Sequence, residues 1–168
     1  MVNKITGDNL NLFSSGNCDF AYEFLGCHKE IKDKKEGYVF RVWAPNANSV
    51  SIAGEFTGWG ENPVKMEKIG YGIWEGFSDS AKQYDSYKYL IEKPNGDTVY
   101  KSDPYGYHTE VRPGTASKVY DLEGYNWKDE SYRKEAAKKN ILEEQVNIYE
   151  VHLGSWKRRS DGSFLSFV

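Results

Sequence analysis

The chain has too few cysteines for a disulfide framework, too little positive charge for a nucleic-acid footprint, and no apolar run long enough to cross a bilayer. Its only two cysteines, Cys18 and Cys27, are too far apart for a metal-type pair, and the sequence is therefore read as a reduced, intracellular chain. Lys and Arg total 22 against 25 Asp and Glu, a net charge of −3 with no basic block, which excludes nucleic acid and anionic membranes as electrostatic partners. The opening residues MVNKITGDNLNLFSSG lack the apolar centre of a signal peptide, so a cytoplasmic location is expected. The three histidines, His28, His108 and His152, have no metal-ligand spacing and read as surface residues. Gly70-Tyr71-Gly72 lies inside a hairpin pattern and is no phosphate cradle. No metal and no cofactor is expected.

Aromatics, by contrast, are plentiful: 15% of the 168 residues, 13 of them tyrosine. A core of this size does not need so many, so some of the rings should face outward, where a flat ring with a polar edge can bind. The chain is long enough to bury about two thirds of its unfolded surface, enough for one domain with a tail.

The segment from Gly37 to Trp59 organises the pattern. Tyr38, Phe40 and Val42 alternate with Val39, Arg41 and Trp43 along one strand, and Pro45 stops it, because proline has no N–H for a ladder. A second strand, Ser49 to Ala53, leads into Gly54-Glu55-Phe56-Thr57-Gly58-Trp59, a tight bend carrying two aromatics. Further strands are predicted at Val64–Glu67, Ile73–Phe77 and Ser86–Ile91. In the second of these Ile73 and Phe77 share one face and Trp74 takes the other, and Trp43 and Trp74 both read as structural. Asn95-Gly96 is a strong hairpin signal that pairs Ser86–Ile91 with Thr98–Lys101, and Asp103-Pro104-Tyr105-Gly106 reads as the turn out of that hairpin. Ser117 to Leu122 supplies a last strand. Short, regularly spaced strands without a helical period predict an antiparallel β-sandwich.

Residues 1–30 read as an ordered lead-in, and the charge run Lys29 to Glu36 as a solvated connector. The sandwich is expected over 31–122 and a linker helix over 123–145. Residues 146–168 then read as a strand, Val146 to His152, that begins a new element with no partner after it. Its apolar side chains Ile148, Tyr149 and Val151 offer an open edge for self-association.

Five motifs, FRVWAPNANSVSIAGEFTGW, YKYLI, KSDPYG, EVRPGTASKVYD and VNIYEVHLGSW, resemble in order the N-terminal part of the 1,4-α-glucan (glycogen) branching enzyme family, between Leu25 and Trp156. The resemblance implies that Phe40 to Asp121 forms an immunoglobulin-like, all-β carbohydrate-binding module, and that Val146 to Trp156 starts a truncated α-amylase-type (β/α) barrel. Glu55 and Thr57 stand where the family has Asp and Asn. The family's reaction cuts an α-1,4 link and re-forms it as α-1,6, which needs paired carboxylates. In the family these come from later barrel strands. Glu55, Asp103, Glu110 and Glu150 match no catalytic motif, and this chain is expected to be inactive alone.

What the resemblance implies for binding is more specific. Trp59, Lys88 and Tyr100 match positions that stack on or hydrogen-bond a glucan in related glycogen-binding modules, and Ser117 aligns with a polar sugar contact. The partners implied are α-1,4-glucan or glycogen and the catalytic barrel of the same protein. A module of a debranching or trehalose-forming enzyme and a stand-alone regulatory glycogen-binding module share the sandwich and remain alternatives.

Overall fold

A computed structural model describes residues 5–140 and 142–165; residues 1–4 of the expected lead-in and 166–168 of the expected barrel start lie outside them. The described chain divides into two units, residues 1–123 and 124–168.

The first unit is a two-sheet antiparallel sandwich. Its strands are β1 (Gly26–Lys32), β2 (Lys35–Trp43), β3 (Ser49–Gly54), β4 (Val64–Lys65), β5 (Glu67–Gly70), β6 (Ile73–Ser78), β7 (Ser86–Glu92), β8 (Thr98–Lys101), β9 (His108–Thr109) and β10 (Ser117–Lys118). One sheet runs in the order β1-β2-β6-β5. The other runs β4-β3-β7-β10-β9, with β8 also paired to β7. The alternation expected from the sequence decides what faces inward. Tyr38, Phe40 and Val42 from one sheet meet Val50, Ile52, Tyr87 and Tyr89 from the other, together with Trp74 and Val119. Trp74 is buried and its indole N–H donates to the Ala44 carbonyl at 3.0 Å, the structural role expected of it. Trp43 is about half exposed and holds the Tyr71 carbonyl through its indole N–H, packing edge-on against Phe13.

The other face of the first sheet is covered by the N-terminal segment. Helix α1 (Gly7–Ser14), capped by the Thr6 hydroxyl, and a 3₁₀ turn at Ala21–Glu23 bring Leu10, Ala21, Phe24 and Leu25 onto Ile73. Arg41 points into this second core, almost wholly buried. Its Nε donates to Glu75 at 2.7 Å and Nη2 to Glu30 at 3.1 Å, so the buried charge is neutralised by carboxylates.

The run Lys29 to Glu36 is not a solvated connector. β1 and β2 pair in unbroken register from Gly26↔Arg41 to Lys32↔Lys35, and the chain reverses through Asp33 and Lys34, both left-handed at φ 51° and 65°. Charge concealed the strand because its outer positions face water, where Lys29 pairs with Glu36.

The Asn95-Gly96 hairpin forms as expected, with Glu92↔Thr98 next to the turn and Leu90↔Tyr100 further along. The turn out of it is fixed from inside. The Asp103 carboxylate accepts the Tyr87 and Tyr89 hydroxyls at 2.6 and 3.0 Å and the Tyr105 N–H at 2.9 Å. Burial pushes its pKa up, against these hydrogen bonds.

The second unit contains helix α2 (Glu130–Ala136), shorter than the 123–145 linker predicted, and the single-turn α3 (Leu153–Trp156). Residues 146–152 form no strand: extended apolar chain becomes β-structure only where another strand accepts its hydrogen bonds, and none of the described residues does so.

Candidate functional site

The bend after β3 is built to hold a tryptophan outward. The Thr57 hydroxyl accepts the Gly54 N–H at 2.8 Å and donates to the Gly54 carbonyl at 3.0 Å, closing the loop on itself. The Glu55 carboxylate accepts the Ser86 N–H at 3.1 Å, tying the loop to β7. These are the jobs of the two residues that depart from the family pattern. Phe56 turns inward, its ring stacked on Phe40 with centroids 5.7 Å apart. Gly58 and Trp59 then both take left-handed backbone, φ 61° and 52°, which leaves Trp59 42% exposed. Left-handed backbone is free for glycine but costs about 1–2 kcal/mol for tryptophan. The hydrogen bonds of Thr57 and Glu55 hold the bend in which this conformation is kept, with close to half of the indole left to solvent.

Lys88 lies at the centre of β7, opposite Ala53, on the face away from the Tyr87 and Tyr89 core. Its ammonium donates to the Thr115 hydroxyl at 2.6 Å, and an ammonium has three N–H donors, so the bond leaves it others to offer. Tyr100 stands opposite Leu90 on β8, hence on the same outer face as Lys88, and is 49% exposed. It also reaches the bend. A Cβ at Gly60 would stand 3.0 Å from the Tyr100 hydroxyl, and φ +108° at Gly60 is what requires glycine there. Lys88 and Tyr100 therefore share one outer face, and the bend that carries Trp59 meets Tyr100 at Gly60.

Ser117 does not lie on that face. In register it stands opposite Tyr87, which faces the core, and it is fully buried, its Oγ accepting the Asp103 N–H at 2.9 Å. The structure thus withdraws Ser117 as a sugar contact: its hydroxyl is consumed in the turn. Thr115, two residues earlier, is the hydroxyl that meets Lys88. The loop punctuation of Pro113-Gly114 was the available signal, since it places the next residue at a strand entrance.

The remaining polar candidates are structural. His28 is buried rather than surface-exposed, its Nε2 2.8 Å from the Leu25 carbonyl, and burial lowers its pKa. Glu110 accepts the Ala116 N–H at 2.8 Å, which holds its carboxyl below the ordinary range. Glu150 is exposed. Among the described residues no group of three His, Cys, Asp or Glu could hold a metal ion, and no helix is long and apolar enough to cross a membrane.

The fold is thus a two-sheet antiparallel sandwich with Lys88 and the half-exposed Tyr100 on one outer face and the half-exposed Trp59 in the neighbouring bend. Residues 24–106, about half of the chain, match and belong to carbohydrate-binding module 48 (isoamylase N-terminal domain). Nearly the whole chain is also similar to 1,4-alpha-glucan branching enzymes. It is 43% identical over 163 residues to GlgB of Bacillus subtilis (strain 168), covering 96% of this chain and 26% of that protein. With GlgB of Bacillus cytotoxicus it shares 39% over 161 residues, 95% of this chain and 25% of that protein. The resemblance to the N-terminal region of branching enzymes is thereby borne out, and the chain spans about a quarter of the length of these relatives. Among solved structures, the pullulanase of Anoxybacillus sp. LM18-11 complexed with maltotetraose aligns with a TM-score of 0.52 at 22% identity, over 86% of this chain and 18% of that one, a likeness of fold alone.

Proposed function

We propose that this chain is the α-glucan-binding and supporting module of a 1,4-α-glucan branching enzyme, the longer protein moving α-1,4-linked chains to α-1,6 branch points during glycogen synthesis in the cytoplasm. One observation carries the reading: Trp59 is held half-exposed in left-handed backbone in the bend whose Gly60 lies against the Tyr100 hydroxyl, and Tyr100 shares its outer face with Lys88. A glucose ring has an apolar C–H face that packs on an aromatic plane and a rim of hydroxyls that needs fixed donors. Trp59 and Tyr100 supply the planes and Lys88, steadied by Thr115, the donor. The partner is uncharged, which suits a chain with no strong field of either sign.

The carboxylates that could be mistaken for catalytic groups have other work: Glu55 and Glu110 accept backbone N–H groups and Asp103 accepts two buried tyrosine hydroxyls. The chemistry is accordingly assigned to the barrel of the longer protein. That barrel is one partner in this proposal. Self-association through Ile148, Tyr149 and Val151, of which the first two are strongly exposed, is another; a strictly monomeric chain at high concentration in sedimentation equilibrium removes it.

The test is calorimetric titration with maltoheptaose. Wild type is expected to bind saturably, and Trp59→Ala to lose at least about tenfold in affinity, roughly 1.4 kcal/mol, with an unchanged circular dichroism spectrum. Alanine keeps the left-handed strain, which only glycine escapes, so Trp59→Gly is measured beside it as the variant that loses the ring and relieves the backbone. An unaltered affinity in a folded Trp59→Ala protein overturns the site; absence of binding in wild type leaves a module that only supports the barrel.

A further inference from the structure

The outer face that carries Lys88 does not end there. Two residues back along β7 comes Ser86, and opposite it in register stands Lys118, whose ammonium donates to the Ser86 hydroxyl at 3.2 Å and the Tyr84 carbonyl at 3.1 Å. Next to Lys118 on β9 is His108. Beyond these polar groups three rings gather. Tyr84 and His108 meet edge-on at 5.8 Å, Tyr84 and Tyr120 at 5.6 Å, and His108 and Tyr120 are tilted at 5.2 Å.

Tyr84 repeats the signature of Trp59. It is a non-glycine residue in left-handed backbone, φ +73°, and its side chain is 53% exposed. The backbone around it is pinned: its N–H donates to the Val119 carbonyl at 2.7 Å, while Val119 donates to Asp85 at 2.9 Å. The ring lies outside the inter-sheet core and packs at the surface on His108 and Tyr120. From Leu90, opposite Tyr100, back to Ser86 at the start of β7 is roughly 13 Å of extended chain, and Tyr84 sits in the turn just before it. Aromatic rings therefore stand at both ends of this stretch, and Lys88, Thr115 and Lys118 supply ammonium groups and a hydroxyl between them, the buried Ser86 hydroxyl serving to hold Lys118.

We propose that Tyr84, His108 and Tyr120 form a second sugar-stacking platform, continuous with the Trp59, Lys88 and Tyr100 site, so that the face takes one long linear α-1,4-glucan rather than a short oligosaccharide. The proposal rests on the glucan-binding reading and adds a chain-length requirement to it. A ligand that reaches both platforms gains the second by an intramolecular step, whose effective concentration makes it nearly independent of bulk ligand. A ligand confined to the Trp59 end gains nothing from the second platform.

The experiment is calorimetric titration of the 168-residue chain with maltotriose and with maltodecaose, in wild type, Trp59→Ala, Tyr84→Gly and Tyr120→Phe. Tyr84→Gly removes a ring while relieving its left-handed backbone, so it should fold at least as well as wild type. Wild type is expected to bind maltodecaose about tenfold more tightly than maltotriose, and Tyr84→Gly to abolish that advantage while leaving maltotriose unchanged. Tyr120→Phe, which keeps the ring, should keep the advantage. Trp59→Ala should weaken both ligands. Equal affinities for the two ligands in wild type, or a full advantage retained by Tyr84→Gly, overturn the long-glucan track and leave the Trp59 site standing. Loss of nothing in Trp59→Ala overturns the site on which the track depends.

Discussion

His28 sits where a positive charge is unwelcome. Burial is the main cause of its lowered pKa; the Arg41 guanidinium pushes the same way, while the Leu25 carbonyl, Asp103 and Glu30 oppose. A neutral ring is thus favoured in the folded chain, and the ordinary value of 6.5 holds once the chain unfolds. The unfolded chain binds the proton more readily, so the contribution of His28 to stability is present above about pH 6.5 and is lost as pH falls below it. Asp103 acts in the opposite sense: burial raises its pKa and favours the protonated acid on folding, so its contribution to stability improves as pH falls. The comparison must therefore be made against His28→Gln, which keeps Asp103. Urea midpoints measured from about pH 7.5 down to about pH 5.5 should fall more steeply in wild type than in His28→Gln. Parallel profiles would place no titration at His28.

Strands differ in how plainly they announce themselves. β7 and β8 were legible because Tyr87, Tyr89 and Ile91 alternate with polar or outward residues and Asn95-Gly96 closes the hairpin; Lys88 followed from the same alternation. Alignment by motif misplaced Ser117, because a one-residue difference in parity decides which face a strand residue joins, and only its pairing with Tyr87 reveals it. β1 was illegible because its tail is polar: of Gly26–Lys32 only the first three positions are buried. The turn that closes it is equally unconventional. A two-residue hairpin turn with φ > 0 at both positions favours Asn-Gly, and this chain uses Asp33-Lys34. Lys34→Gly should therefore stabilise the domain by about 0.5–1 kcal/mol, the relief of left-handed lysine less the extra freedom of glycine in the unfolded chain. A urea midpoint that moves down instead would show that the Lys34 side chain contributes more than its backbone conformation costs.

The sandwich unit has two cores that share one sheet, and the sharing sets how it must unfold. Val42 and Trp74 face the inter-sheet core, while Ile73 and Arg41 face the N-terminal cover. Stripping the cover would bare Arg41 with its two carboxylates and the apolar side chain of Ile73, so the cover cannot leave at low cost while the sandwich stays intact. Phe24 is the residue to probe: it is fully buried, meets Phe13 and Phe20 edge-on at 6.2 and 6.4 Å, and lends its carbonyl to Arg41. Phe24→Ala should cost about 3–5 kcal/mol through lost burial and the cavity left behind. In a single cooperative unit that loss moves every probe together. Circular dichroism, which reads the strands, and tryptophan fluorescence, measured in a background that keeps Trp74 as its single tryptophan and so reads the inter-sheet core, should then give coincident urea transitions with and without Phe24→Ala. A variant in which fluorescence keeps the wild-type midpoint while part of the dichroism melts early would mean that the cover folds by itself. The face that carries Lys88 and Tyr100 would then be independent of the N-terminal segment, because β3, β7 and β8 lie in the sheet opposite the one that the cover packs on.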